Sequence, residues 1–375
     1  LNRDIALLRA EATLIENRFA KSQTATPSTR MNDTDGLIQA IPSDVLVAEY
    51  FLGDSRAWLF EVRDGKVTAH SLPDPAEIEA LARQLHLSWR TYARTPASRL
   101  RNSGKLTGMI LGPLGHAAPP GELIIIPDGA LHLVPMALLA QQNWPETRPG
   151  AAVVIPSLST TLGAQEDQGT PAQKWIAVIA DPVYAANDSR IHAVIDRPRE
   201  ASSIRLAGNV PLTRGARDLN SMQRLPSTAV EARELIALVN KPAETLALIG
   251  TDANRTRVAT APLHEYRIVH FATHAFADSQ DPALATLALS RWDATGNPID
   301  GVFRQYDISR LRLNADLVVL SGCDTALGRE IAGEGPIGLA QAFLRTGARS
   351  VVSTLWQVPD TSTAALLREF YRQLL

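Results

Sequence analysis

The sequence predicts a three-layer α/β fold, a mainly parallel sheet flanked by helices, preceded by a smaller α+β lobe. Two patterns lead to this prediction. From residue 174 onward, short runs rich in β-branched residues alternate with segments of helical period, which is typical of parallel strands joined by right-handed crossovers. Before residue 165, apolar runs are separated by tight-turn residues such as Asp64-Gly65, which favours antiparallel hairpins.

The composition is that of a globular protein with a substantial core. Of the 375 residues, 45% are hydrophobic and 20% are charged, and the formal net charge is −2. This charge argues against direct binding to nucleic acid. No apolar run approaches the ~18 residues that a membrane span needs. A single cysteine excludes a disulfide framework and a cysteine-rich zinc site and indicates a reducing compartment, so we expect a cytoplasmic protein.

The first 43 residues are expected to form an upstream helix and a polar linker. Residues 1–19 carry apolar side chains at helical spacing, and residues 21–35 have the composition of a linker. The chain starts at Leu1 and stops inside a helical pattern at Leu375. We therefore interpret it as a fragment of a longer protein.

The predicted first lobe, residues 44–165, opens with an antiparallel meander of three strands over residues 45–71. Its remaining predicted elements are a helix over 75–94, a strand over 123–127, a helix around 131–140 and a strand over 152–156.

The predicted second lobe, residues 170–375, alternates strands with helices. Its predicted strands cover 174–180, 244–250, 266–273, 284–290, 315–320 and 349–356, and its predicted helices cover 228–239, 252–261, 337–346 and the segment from 361. Thr228 and Glu231 have the spacing of a capping box at the start of a helix. Residues 185–227 carry seven arginines and are either a solvated surface loop or a functional segment.

Two reactive side chains follow predicted strand ends. Cys323 follows the strand at 315–320, and His274 follows the strand at 266–273, 49 residues upstream. The carboxyl ends of parallel strands meet at one edge of a sheet. Because a thiol of pKa ~8.5 is mostly protonated at neutral pH, a catalytic cysteine needs a base, which His274 can supply. A buried structural cysteine is the alternative, but the flanking Ser, Gly, Asp and Thr argue against it.

The residues around the two strand ends have candidate roles of their own. The backbone amides of Ala275 and Cys323 are expected to be free and to bind a developing oxyanion. Gly322 leaves room for a substrate backbone. Asp324 either orients the loop or contacts substrate. His270, on the same predicted strand as His274, is expected to be structural.

Four segments together resemble a known family. They are HFATHAFAD, LVVLSGCDTALG, GEGPIGLAQAFLRTGARSVVSTLWQV and IIIPDGALHLVPMALL. In this order, from about residue 44 to the end of the chain, they resemble the CHAT family of caspase- and separase-like domains, which are often attached to tetratricopeptide repeats. The resemblance implies a caspase-like sheet, preceded by a degenerate protease-like lobe, and a cysteine endopeptidase with His274 as general base and Cys323 as nucleophile.

The same resemblance implies substrate pockets at the carboxyl ends of the strands. Asp181 ends the first predicted strand of the second lobe, and Trp356 and Asp360 follow the last one. A carboxylate at either place would suit a basic side chain at P1, the substrate residue before the scissile bond. Asp181, followed by Pro182, is equally consistent with a turn.

No cofactor or metal is expected. Residues 333–338 match G-x-G-x-x-G, but the motif does not follow a strand directly and Glu334 would face a pyrophosphate. No His, Asp and Glu cluster has metal-ligand spacing. The expected partners are a protein substrate and either upstream tetratricopeptide or other helical repeats or an activating protein. A catalytically silent interaction module remains the alternative to a regulated peptidase.

Overall fold

The computed structural model describes residues 34–90, 96–115, 120–144, 151–156, 172–191, 222–276, 285–322, 329–331, 335–356, 358 and 360–375. The helix predicted over residues 1–19 and the boundary predicted between the two lobes lie outside these residues. The end of the predicted linker is not extended, because Thr34–Gln39 forms a short helix, α1.

A five-stranded mixed sheet forms the first half of the described chain. Its strands are β1 Val45–Leu52, β2 Ala57–Arg63, β3 Lys66–Ser71, β4 Glu122–Ile126 and β5 Ala151–Val154. The spatial order is β3-β2-β1-β4-β5, with β1, β2 and β3 antiparallel and β4 and β5 parallel to β1. The predicted meander is therefore confirmed.

Three further helices accompany this sheet: α2 Pro75–Arg90, α3 Pro96–Ile110 and α4 Met136–Asn143. Helix α3 was not predicted, because its sequence holds two glycines and few apolar residues, yet it buries Leu106 and Ile110 in the core. The helix predicted around 131–140 is split into a 3-10 turn over Gly129–Leu133 and α4, since Pro135 separates them.

The described residues of the second half form ten strands. They are β6 Lys174–Ala180, β7 Thr245–Ile249, β8 Tyr266–Ala272, β9 Ala275–Phe276, β10 Thr286–Ala288, β11 Val302–Arg304, β12 Leu317–Leu320, β13 Arg329–Ile331, β14 Gly335–Ile337 and β15 Val351–Ser353. Five of them form an all-parallel sheet of order β15-β12-β8-β6-β7, which confirms the predicted parallel sheet. Strands β9, β10 and β11 form a separate antiparallel sheet, so the strand predicted over 284–290 exists but does not join the parallel sheet.

The parallel sheet is covered by helices on both faces. The helices are α5 Pro226–Val239, α6 Arg255–Thr260, α7 Gln305–Ser309, α8 Leu339–Arg345 and α9 Asp360–Leu374. Side chains of α5 and α9 pack on one face of the sheet, and those of α6, α7 and α8 pack on the other. The three predicted layers are therefore present. Among the described residues, no helix combines the length and the apolar character needed to span a membrane.

The capping box predicted at Thr228 does not form. Helix α5 begins two residues earlier, at Pro226, and the Thr228 hydroxyl donates to the carbonyl of Leu225 (2.6 Å). Glu231 therefore lies inside α5 rather than at its first turn, and its side chain is buried against the sheet. Sequence spacing alone cannot distinguish a capping carboxylate from a buried one.

Glu231 belongs to a buried polar cluster that joins α5, α9 and the sheet. Its carboxylate lies 2.6 Å from Nε2 of His270, and Nδ1 of that ring lies 3.0 Å from the hydroxyl of Tyr371. His270 is fully buried, in agreement with the structural role predicted for it. Burial, and after it the charge of Glu231, raise the pKa of Tyr371 well above its ordinary value.

Tyr50 and Tyr371, two of the buried tyrosines, predict a loss of stability in alkali. The Tyr50 hydroxyl donates to the carbonyl of Ile110 (3.1 Å), and burial raises the pKa of Tyr50, like that of Tyr371, well above 10.0. When the pKa of a tyrosine is higher in the folded than in the unfolded state, its contribution to stability is fully present at pH values below the unfolded-state pKa. This stabilisation is lost as the pH rises beyond about 10.

Denaturant midpoints measured between about pH 8 and 11 test this loss of stability. Ionisation of each phenol in the unfolded chain makes the free energy of unfolding fall more steeply, by up to ~1.4 kcal/mol per pH unit. We expect Tyr50→Phe and Tyr371→Phe each to make the alkaline decline shallower. Tyr306→Phe, at an exposed tyrosine, is the control and should follow the wild type. Identical declines in all four proteins would contradict the prediction.

Candidate active site

Three neighbouring parallel strands bring their carboxyl ends to one edge of the second sheet. Strand β8 lies between β6 and β12, with Ala180 opposite Ala272 and Phe271 opposite Leu320. The loops that follow these strands therefore start at the same level. They carry Asp181 after β6, His274 after β8 and Gly322 after β12.

The His274 ring is held between aromatic side chains and a backbone carbonyl. The ring of Tyr184 lies 5.3 Å away and that of Phe276 lies 6.4 Å away, centre to centre. Nε2 lies 2.8 Å from the carbonyl oxygen of Gln223. Because a carbonyl only accepts hydrogen bonds, this contact requires a proton on Nε2, which leaves Nδ1 of the neutral ring with the free lone pair. The ring can therefore act as a base through Nδ1.

Tyr184 packs against the ring of His274 and binds its backbone N–H, a role that sequence reasoning missed. Its buried hydroxyl lies 2.8 Å from the Thr273 hydroxyl and accepts a long hydrogen bond (3.4 Å) from the His274 backbone N–H. Burial raises the pKa of Tyr184, although the hydrogen bonds to Thr273 and His274 oppose the shift. The one available signal was its position three residues after Asp181, in the loop that leaves β6.

The two residues before Cys323 are held by hydrogen bonds from β8, α5 and the segment after β15. The Ser321 N–H donates to the carbonyl of Phe271 (2.8 Å), and the Ser321 hydroxyl donates to Glu231 (3.3 Å). The carbonyl of Gly322 accepts from the Thr354 hydroxyl. Gly322 is buried at the predicted edge.

Cys323 and Asp324, predicted as nucleophile and as a substrate or loop residue, lie outside the described residues. Ala275 does not lie in the free turn that the sequence predicts. It is the first residue of β9, buried and paired with Leu287 of β10. The chain re-enters a strand immediately after His274, which the local pattern did not indicate.

Asp181 lies at the predicted edge but is already paired. Its φ of 48° is in the left-handed region, and its side chain is only 3% exposed. Arg224 binds both carboxylate oxygens through Nε (2.9 Å) and Nη2 (2.8 Å), and Arg190 Nη1 lies 2.7 Å from Oδ2. The position proposed for a basic substrate side chain is therefore occupied by the chain's own arginines.

Trp356 follows the edge strand β15 but packs across the molecule. Its ring stacks on Trp89 of α2 at 5.8 Å with an interplanar angle of 23°, and it meets His86 edge-on at 6.3 Å. These contacts join the helices of the first sheet to the second. Asp360, also predicted to bind substrate, is the first residue of α9, and its side chain is outside the described set.

No group of three or more His, Cys, Asp or Glu side chains is arranged to hold a metal ion within the described part of the chain.

Comparison with known proteins agrees with this architecture. The CHAT domain family matches residues 100–375. Tetratricopeptide repeat protein 28 of Mus musculus is 26% identical over 303 residues, which covers 70% of this chain and 11% of that protein. Its counterpart from Homo sapiens is 26% identical over 322 residues, 76% of this chain and 12% of that protein. The chain thus spans about a tenth of the length of these relatives.

The family match covers most of the chain, including the whole parallel sheet and the loops at its carboxyl edge. The sheet lies between two layers of helices, as in the caspase-like fold. The chain belongs to the CHAT domain family.

Proposed function

We propose that this domain is a cysteine endopeptidase in which Cys323 is the nucleophile and His274 the general base. The observation that carries the proposal is the pairing of β8 and β12 as parallel neighbours, with Phe271 opposite Leu320. This register supports a dyad, because His274 comes three residues after Phe271 and Cys323 comes three residues after Leu320. Membership of the CHAT family supports the same reaction.

The proposed reaction is peptide-bond hydrolysis in two steps. Nδ1 of His274 takes the thiol proton, and Sγ of Cys323 attacks the scissile carbonyl carbon. The backbone amide of Cys323 is the proposed donor to the oxyanion, since Ala275, the other donor expected from the sequence, is paired within β9. His274 then protonates the leaving amine as the C–N bond breaks, which leaves a thioester. Water, deprotonated by His274, attacks the thioester, and this step releases the carboxylic acid and regenerates the thiol.

Further residues are proposed to contact the substrate. Gly322 leaves space for its backbone, and Asp324, Trp356 and Asp360 flank the carboxyl edge in sequence. We further propose that the domain acts in the cytoplasm, where its thiol stays reduced. Its regulation would come from upstream tetratricopeptide repeats, as the names of its relatives suggest, or from an activating protein.

Alkylation of the thiol tests the dyad directly, because Cys323 is the single cysteine of the chain. We expect iodoacetamide at pH 7 to label the wild type about tenfold or more faster than His274→Ala, since loss of the base lowers the thiolate fraction. The measurement is label incorporation by mass spectrometry over time, with His264→Ala as the matched control.

Equal rates in the wild type and His274→Ala would sink the dyad and favour the silent interaction module. Cleavage of a peptide library completes the test. Activity should disappear in Cys323→Ala and persist in His264→Ala. Because a partner can hold such a domain inactive, both experiments are run on the protein with its upstream region as well.

Tyr184→Phe tests whether the Tyr184 hydroxyl positions the imidazole of His274. Removal of the hydroxyl leaves the His274 backbone N–H without this acceptor, at a cost of about 1 kcal/mol, while the Thr273 hydroxyl keeps its hydrogen bond to the carbonyl of Ala288. We expect kcat to fall about fivefold while KM stays unchanged, because the substrate is not touched. Tyr306→Phe, which alters an exposed hydroxyl bound to Arg310, should leave both constants unchanged. A rise in KM instead would show that Tyr184 lies in the substrate path.

A further inference from the structure

The backbone that leads to Cys323 is held by a side chain that follows the edge strand. Strand β15 pairs with β12, with Ser353 opposite Leu320, so Thr354 lies beside the chain as it leaves β12. The Thr354 hydroxyl donates a hydrogen bond to the buried carbonyl of Gly322. A threonine suits this contact, because its branched Cβ restricts χ1 and so limits the positions that the hydroxyl oxygen can take.

This hydrogen bond bears on the proposed oxyanion donor. The Gly322 carbonyl and the Cys323 N–H belong to one peptide group, which is planar and almost always trans. The two point in opposite directions in a trans peptide, so a contact that fixes the carbonyl also fixes the direction of the N–H. An oxyanion donor is effective when it is aimed before the charge develops. Thr354 is therefore placed to aim the Cys323 N–H without touching a substrate.

The chain that follows Thr354 is anchored on the first lobe. Two residues further on, Trp356 stacks on Trp89 of α2 at 5.8 Å and meets His86 edge-on at 6.3 Å. Aromatic pairs in these arrangements stabilise each other beyond the area that they bury. The segment between β15 and these rings is short, so the stack restricts where the Thr354 hydroxyl can lie.

Helix α2 is itself fixed to the first sheet. The His86 side chain is buried, and its Nδ1 lies 3.1 Å from the carbonyl oxygen of Leu133. The carboxylate of Glu79 accepts a hydrogen bond (2.9 Å) from the backbone N–H of Ala130. Trp89 packs against the hydrophobic core of this lobe. The first lobe therefore sets the position of the Trp89 ring on which Trp356 stacks.

We propose that Thr354 is a positioning residue for the oxyanion donor, and that Trp89 holds Thr354 in place through Trp356. The first lobe carries none of the proposed catalytic groups, yet by this route it completes the site at the edge of the parallel sheet. That the aimed amide serves an oxyanion rests on the proposed function. The hydrogen bond to Gly322 and the tryptophan stack rest on geometry alone.

The test compares two reactions of the single thiol in the full chain. With p-nitrophenyl acetate, Sγ of Cys323 attacks the ester carbonyl and an oxyanion forms. The C–O bond then breaks, p-nitrophenolate leaves and a thioester remains. With iodoacetamide, Sγ displaces iodide from a methylene carbon and no oxyanion forms. A misdirected N–H should therefore slow acylation and spare alkylation. The two rates are measured as nitrophenolate release and as label incorporation, each after subtraction of the Cys323→Ala background.

Thr354→Val keeps the shape of threonine without its hydroxyl. We expect it to slow acylation about tenfold, less than the roughly 10²–10³ that loss of a whole oxyanion donor costs, and to leave alkylation as in the wild type. Thr354→Ser keeps the hydroxyl and should restore acylation. Trp89→Ala should also slow acylation alone. Its combination with Thr354→Val should be no slower than Thr354→Val, because both changes act through one hydroxyl.

Trp175→Ala is the matched control for loss of a half-buried indole. Its ring lies 4.8 Å from both Lys241 and Arg267, at the amino-terminal end of β6, and acylation should be unchanged. Normal acylation by Thr354→Val, or an equal loss of alkylation, overturns the role of Thr354. Normal acylation by Trp89→Ala, or additive effects in the double variant, overturns the role of Trp89. Should Trp89→Ala fail to fold, Trp89→Leu replaces it, and Trp89→Phe should behave as the wild type.

These outcomes are separable from the fate of the proposed peptidase, because neither probe is a peptide. Alkylation that is independent of His274, together with acylation that depends on Thr354, keeps the positioning role and rejects the dyad. Alkylation that depends on His274, with acylation that ignores Thr354, keeps the dyad and rejects the positioning role.

Discussion

The parallel pairing of β6, β8 and β12 is the constraint on which the candidate site depends. Backbone hydrogen bonds fix the register of each neighbour, with Ala180 opposite Ala272 and Phe271 opposite Leu320. A slip of one residue would move every side chain to the other face of the sheet. Because both faces are buried under helices, such a slip is strongly opposed, and the three loops must begin at a common edge.

Polar side chains at this edge are held by partners from distant elements. On the α5 side, Glu231 lies between His270 and the Ser321 hydroxyl and so ties the helix to two strands. Beside the edge, the buried carboxylate of Asp181 is paired with Arg190 and Arg224. In each case burial makes the unpaired group costly, so the partner and the backbone that carries it are fixed together.

Much of the fold follows from local pattern. The runs that became β6, β8 and β12 are short, apolar and β-branched, and they have no polar face because the sheet is covered on both sides. Helix α3 was missed because its burial rests on a few residues such as Leu106 and Ile110, too few for a clear helical period. The capping box was wrong for a related reason, since Glu231 found a buried partner far away in the sequence.

The sequence by itself determined the fold class, the parallel strands and the position of His274 at a strand end, because periodicity and strand termini are local properties of the chain. Only the tertiary structure decided that Tyr184 lies beneath His274, that Trp356 stacks on Trp89 and that Arg224 fills the position at Asp181. Residues 185–227 carry seven arginines that are chemically equivalent in the sequence. Two of them, Arg190 and Arg224, lie against the buried carboxylate of Asp181, and this contact exists only once the sheet has assembled.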